Sequence, residues 1–137
     1  MRIRQLAHVC LFAHDLDETE AFYRDALGLP VKFRFLRGGQ RVGFYLDLGG
    51  RTNIEVFARS DARFAETDAI NHLCLEVEDM DAARAHLASA GVAVTDRKLG
   101  CDGTWQAWLT DPNGVKIELF QYTAESAQFT GGDRSLD

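Results

Sequence analysis

The sequence predicts an α+β fold made of two tandem βαβββ modules, with their strands in mixed sheet and their helices on its outer face. Three observations carry that prediction. The chain repeats itself: Leu6-Ala7-His8-Val9-Cys10-Leu11 lies over Ile70-Asn71-His72-Leu73-Cys74-Leu75, placing His on His and Cys on Cys. After one residue is lost near Gly28 and Gly91, Leu46 falls on Leu109, Ile54 on Ile117, Glu55 on Glu118 and Phe57 on Phe120. Each half also runs from alternating polarity into helical spacing and back to alternation. Cap and turn residues then punctuate both halves at matching places.

The elements follow in order. Residues 4–12 alternate as a strand ending at His14-Asp15, and Asp15 with Glu18 three positions on has the pattern of a capping box. A helix over 16–27 is predicted, with Ala21 and Phe22 turned inward and Gly28 as its stop. Strands at 31–36, 41–48 and 52–58 come next, joined by Gly38-Gly39 and Gly49-Gly50. The second half reads as a strand at 69–77, a helix at 79–90 stopped by Gly91, and strands near 92–98, 104–110 and 115–122. Asp111-Pro112-Asn113-Gly114 is the turn before the last strand. The modules therefore span about 4–58 and 69–122 of a single domain, and the polar segment 124–137 is expected to be a loose tail or a partner-contacting arm.

Composition sets the function classes aside. Hydrophobic residues make up 46% and charged residues 26% of 137, with 12 Gly and 2 Pro, which is ordinary globular composition. Net charge is −6, and nucleic-acid binding needs the opposite sign to displace counterions. No apolar run reaches the roughly 20 residues that span a bilayer, and Met1-Arg2-Ile3-Arg4-Gln5 opens no signal-peptide pattern. Three cysteines without finger spacing suit free thiols in a reducing compartment. The expectation is a cytoplasmic protein without nucleic-acid or membrane partners.

Side chains alternate across a strand, so parity sorts them onto faces. Val9 and Leu11, Ile54 and Val56, Leu73 and Leu75, and Ile117 and Leu119 make one aliphatic face per strand, suited to cover by a helix. The opposite faces carry His8 with Cys10, Glu55 with Phe57, His72 with Cys74, and Glu118 with Phe120; Tyr45 and Trp108 are repeat-related on the third strands. A carboxylate amid Ile, Val, Leu and Phe is costly unless charge-paired or metal-bound. Two imidazoles and two carboxylates at repeat-related positions would converge if the halves close a cup, and that donor set suits one divalent transition metal. The alternative is a set of solvated side chains on an open sheet face. Nickel, zinc, cobalt, manganese and iron are all chemically admissible.

Other residues carry less. His14 and His86 read as surface or capping histidines, and Cys10 and Cys74 as buried pocket-lining thiols beside the site. Cys101 sits in a hairpin loop; Arg59, Arg97 and Lys98 read as solvated surface; the acidic runs 15–20 and 76–81 fit helix N-termini and need no partner.

Several motifs bear a resemblance: Leu6-Ala7-His8-Val9, Phe22-Tyr23, Leu27-Gly28-Leu29, Asn71-His72-Leu73 and Asp111-Pro112-Asn113-Gly114-Val115-Lys116-Ile117-Glu118-Leu119. Together they resemble the vicinal oxygen chelate superfamily, which includes glyoxalase I, extradiol dioxygenases, methylmalonyl-CoA epimerase and the fosfomycin- and bleomycin-resistance proteins. The likeness covers about residues 4–122. It implies a cup-shaped sheet around a metal within a homodimer, with His8, Glu55, His72 and Glu118 as ligands. Glyoxalase I is similar in having all four ligands, which implies a metal-dependent lyase or isomerase step on a small chelating carbonyl or thiol-adduct substrate. Glu118 is then the catalytic base, Glu55 serves the opposite face, and Tyr45, Phe57, Trp108 and Phe120 line the substrate site. One departure stands: Arg59 occupies the place where bacterial glyoxalase I has an Asn for glutathione. Two alternatives come with the resemblance. One is an iron-dependent extradiol-type dioxygenase using His8, His72 and Glu118; the other is a non-catalytic drug- or metabolite-binding resistance protein.

Overall fold

The computed structural model describes residues 4–61 and 69–135. The predicted opening at Met1–Ile3 and the end of the predicted tail at Leu136–Asp137 lie outside the described residues. The order is β1 (His8–Ala13), α1 (Leu16–Ala21) continued by a π-helical turn (Phe22–Ala26), β2 (Val31–Arg37), β3 (Gln40–Asp47) and β4 (Asn53–Ala58). The second half gives β5 (Leu73–Glu76), α2 (Met80–Ser89), β6 (Lys98–Leu99), β7 (Trp105–Thr110), β8 (Lys116–Gln121) and α3 (Ala127–Thr130). The predicted mixed sheet is realised as two four-stranded sheets, ordered β1-β4-β3-β2 and β5-β8-β7-β6. In each, the first strand pairs parallel with the last and the other pairs are antiparallel. The chain forms two compact units, Met1–Ala65 with Pro112–Gly114, and Glu66–Asp111 with Val115–Asp137. No helix among the described residues is long and apolar enough to cross a membrane.

In the first unit the Asp15 carboxylate caps α1, accepting from the Asp17 and Glu18 amides at 2.8 and 3.0 Å. Those two bonds hold its carboxyl below the usual carboxylate range. Gly28, at φ 70°, adopts the left-handed turn that ends the helix, and the next amide, Leu29 N–H, donates back to Tyr23 O. Asn113 closes the start of α1: its Oδ1 accepts from His14 N–H and its Nδ2 donates to Thr19 Oγ1, both at 3.0 Å. The core is Ala13, Tyr23, Phe44, Leu46, Ile54 and Val56; of the predicted aliphatic face, Ile54 and Val56 are buried and Val9 and Leu11 half-buried. The inward helix residues are Thr19, Glu20, Tyr23 and Ala26; Ala21 and Phe22 are only half-buried, because the π-helical turn rotates the face.

Glu20 overturns one expectation. It is 3% exposed, and its carboxylate takes Arg24 at 2.8 Å, Arg34 at 2.5 Å and Arg41 at 2.6 Å, while Arg41 also pairs with Asp17. The acidic run therefore has partners: one buried carboxylate ties α1 to β2 and β3.

The second unit buries Met80, Leu87, Ala107, Leu109, Ile117 and Leu119. The strand predicted over 92–98 shrinks to Lys98–Leu99. Trp108 N–H donates to the Thr95 hydroxyl rather than to a backbone carbonyl, so the ladder does not extend. The predicted loose tail is docked at its start. Ala127 N–H donates to Asp102 O at 2.7 Å, Gln128 Nε2 to Asp102 Oδ2 at 2.8 Å, and Thr123 Oγ1 to Gly103 O at 2.7 Å. Ser126 is fully buried there.

Candidate metal centre

Strand register builds the same half-site twice. In the first sheet Cys10 stands beside Glu55 across β1–β4, and Tyr45 beside Glu55 across β3–β4. In the second, Cys74 stands beside Glu118 across β5–β8, and Trp108 beside Glu118 across β7–β8. The duplication seen in sequence is thus a duplication of ladder positions. It brings each predicted imidazole to its own carboxylate: His8 Nε2 lies 3.9 Å from Glu55 Oε2, and His72 Nε2 lies 3.3 Å from Glu118 Oε2.

The pairs differ in depth. The first has 44% and 20% of its His and Glu side-chain surface exposed; the second has 33% and 9%. Among the described residues no group of three or more His, Cys, Asp or Glu gathers closely enough to hold a metal ion. The four predicted ligands stand as two pairs, each inside its own unit.

The His72–Glu118 pair fits a divalent metal on chemical grounds. Two donors each about 2.0–2.2 Å from one ion stand roughly 3.0–3.5 Å apart at octahedral or tetrahedral angles, and the His72–Glu118 spacing of 3.3 Å falls in that span. Asn71 Oδ1 lies 2.9 Å from His72 Nδ1. A carbonyl oxygen only accepts, so Nδ1 carries a proton, and Nε2 is the ring nitrogen that faces Glu118.

Aromatic rings border both pairs. Tyr45 stacks on Phe33 at 4.7 Å, and Phe35 lies against Phe57 at 4.7 Å. Gly43 leaves the space for that ring, since a β-carbon there would come within 2.7 Å of Phe57 Cδ1. Trp108 meets His72 edge-on at 4.9 Å, and Phe120 meets Tyr122 edge-on at 5.2 Å. Of the four predicted substrate-lining rings, Tyr45, Phe57 and Trp108 are half-buried and Phe120 is buried.

Cys10 and Cys74 are exposed, not buried as the sequence suggested. Partial desolvation, followed by the adjoining Glu55, pushes the Cys10 thiol up to about 11; desolvation and Glu118 push Cys74 up to about 12. As neutral thiols they are poor ligands and nucleophiles. His14 pairs with Glu18 on the surface at 3.3 Å, Arg59 with Asp61 at 2.8 Å, and Arg97 with Asp81 at 2.9 Å.

Sequence reasoning missed three features of these faces. Phe33 and Phe35 were legible in the alternation of β2, which placed them with Tyr45. Asn71 adjoins a predicted ligand. Asn53, beside His8 in the ladder, has a buried Oδ1 without a hydrogen-bond partner among the described residues, and no sequence signal marks it.

A fold of paired βαβββ modules, each carrying a His and a Glu at duplicated ladder positions, defines a class, and comparison agrees. Residues 5–119 match the model of the Glyoxalase/Bleomycin resistance protein/Dioxygenase superfamily, and the chain belongs to that superfamily. An ethylmalonyl-CoA/methylmalonyl-CoA epimerase of Cereibacter sphaeroides is 33% identical over 132 residues, covering 87% of this chain and 98% of the relative. The protein YaeR of Escherichia coli is 31% identical over 130 residues, covering 87% and 97%. The crystal structure of a glyoxalase family protein from Enterococcus faecalis superposes with a TM-score of 0.75 at 25% identity, covering 88% of this chain and 99% of that one.

Proposed function

We propose that the chain is a metal-dependent lyase or isomerase that shifts a proton on a small chelating carbonyl or thiol-adduct substrate, the reaction class of glyoxalase I. One observation carries this reading: Glu118, 7% exposed in the middle of β8, stands 3.3 Å from His72 Nε2. His8, Glu55, His72 and Glu118 would together hold one divalent ion, and nickel, zinc, cobalt, manganese and iron all suit that donor set. When bound, such an ion supplies positive charge that stabilises a developing oxyanion on the substrate. Glu118 takes the proton from the carbon beside that oxygen and returns it, while Glu55 serves the opposite face. Tyr45, Phe57, Trp108 and Phe120 would line the substrate site.

The relative named as an epimerase supports proton transfer over redox chemistry, because inverting a centre next to a carbonyl removes and restores a proton. Glutathione is not assigned as the thiol: Arg59 replaces the expected Asn, with its guanidinium 4.9 Å from the Phe12 ring and its Nε on Asp61. The working form is a cytoplasmic homodimer on the same reading. Elemental analysis of the wild type and of His8→Ala with Glu118→Ala tests the metal; equal content in both would end the proposal. For the metal-loaded Glu118→Gln variant, loss of substrate C–H exchange with deuterated solvent is expected. Retained exchange would make Glu118 only a ligand.

A further inference from the structure

A neutral imidazole carries one N–H and one lone pair, so whatever holds one nitrogen decides what the other can offer. The two modules hold theirs with different residues. In the first, Tyr45 Oη lies 3.2 Å from His8 Nδ1. The tyrosine is itself fixed, stacked on Phe33 with 13° between ring planes and edge-on to Phe35 at 6.3 Å. In the second, the residue at the same ladder position is Trp108, and an indole has no acceptor for an Nδ1–H. There Asn71 Oδ1 takes His72 Nδ1 at 2.9 Å. The repeat partner of Asn71 is Ala7, which has no side-chain acceptor. One module combines Ala7 with Tyr45 and the other Asn71 with Trp108: each has one oxygen at Nδ1, from β3 in the first and from the residue before the histidine in the second.

We propose that Tyr45 is the positioning residue for His8, as Asn71 is for His72. Each accepts the imidazole Nδ1–H and so presents the Nε2 lone pair on the side of the glutamate. The inference rests on the metal reading above and extends it to residues that ligate nothing. It also explains why chemically different side chains, Tyr and Trp, are tolerated at equivalent positions of a duplicated site.

The test uses the full-length, metal-free protein at about pH 8.5, above the ordinary imidazole range. Histidine ¹⁵N shifts then report which nitrogen carries the proton. The wild type is expected to show Nδ1–H at both His8 and His72. Tyr45→Phe, which keeps the stacked ring, is expected to move the His8 proton to Nε2, leave His72 unchanged, and weaken zinc binding about 10–100-fold. Asn71→Ala is expected to do the same to His72 and spare His8. A His8 tautomer that is Nε2–H in the wild type, or the same in Tyr45→Phe, overturns the proposal. So does a zinc affinity unchanged by Tyr45→Phe in a protein whose affinity His8→Ala does reduce. Zinc bound equally by wild type and His8→Ala would strike the metal reading instead, and the metal-free tautomers would still decide the part of Tyr45.

Discussion

The two half-sites share a ladder register and differ in depth. Glu55 sits opposite Tyr45 as Glu118 sits opposite Trp108, yet the first His–Glu pair is wider and more exposed than the second. Register follows from the period-2 alternation of the strands, so duplication preserves it. Depth depends on neighbours, and those have diverged: Glu118 precedes Phe120, buried against Tyr122, whereas Glu55 precedes a half-buried Phe57. Glu118, the proposed base, is thus the deeper of the two carboxylates, and Glu55 the shallower.

The largest effect should break that symmetry. With metal loaded, Glu118→Gln is expected to slow substrate C–H exchange about 100- to 10,000-fold, while Glu55→Gln chiefly weakens metal binding. Equal losses of exchange in both variants would show that the base is not Glu118 alone.

The same comparison extends to how each helix is tied to its sheet. In the first unit Glu20 is buried among three guanidinium groups; at its repeat position in the second stands Arg84, whose main partner, Asp96, is 95% exposed at its side chain. Glu20→Gln is expected to destabilise by about 2 kcal/mol. That is less than a fully buried pair loses, because water reaches the arginines. Arg84→Ala is expected to lose about 0–1 kcal/mol. Urea midpoints check the order, and a reversed order would contradict the account of the clasp. Asn113→Ala, removing two hydrogen bonds at the start of α1, falls between them at about 1–2 kcal/mol.

A smaller effect concerns acid. Backbone amides hold Asp15 and Asp47 below the usual carboxylate range, with Lys32 helping at Asp47; around Asp102 the Thr104 and Gln128 side chains outweigh desolvation to the same end. A lowered folded-state pKa gives stability that is complete above the unfolded value near 4 and is lost as pH falls through the lower folded value. The urea midpoint is therefore expected to be level from neutral pH to about 5 and to fall below about 4. Asp102 ties down α3, so Asp102→Asn should flatten part of that fall in the second unit.

Much of this was legible in the residues. His8, Glu55, His72 and Glu118 could be singled out from parity and repetition alone, and Asp15 as a cap from its offset to Glu18; that each His meets the Glu of its own module follows from the β1–β4 and β5–β8 pairing. Features that depend on distant partners were not. A polar run such as 124–130 reads as a tail until Asp102 and Gly103 supply its hydrogen bonds. An acidic run reads as solvated until Arg34 and Arg41 arrive from other strands. Strand 92–98 fails because the Thr95 hydroxyl takes a ladder amide, a choice that alternation does not encode.

The central proposal is that His8, Glu55, His72 and Glu118 hold one ion. Titrating the metal-free protein with zinc, alongside His8→Ala and His72→Ala, tests it most directly. The account predicts one tight ion per chain in the wild type, with either substitution removing that same binding event. Two independent ions per chain, each lost to only one of the substitutions, would contradict it.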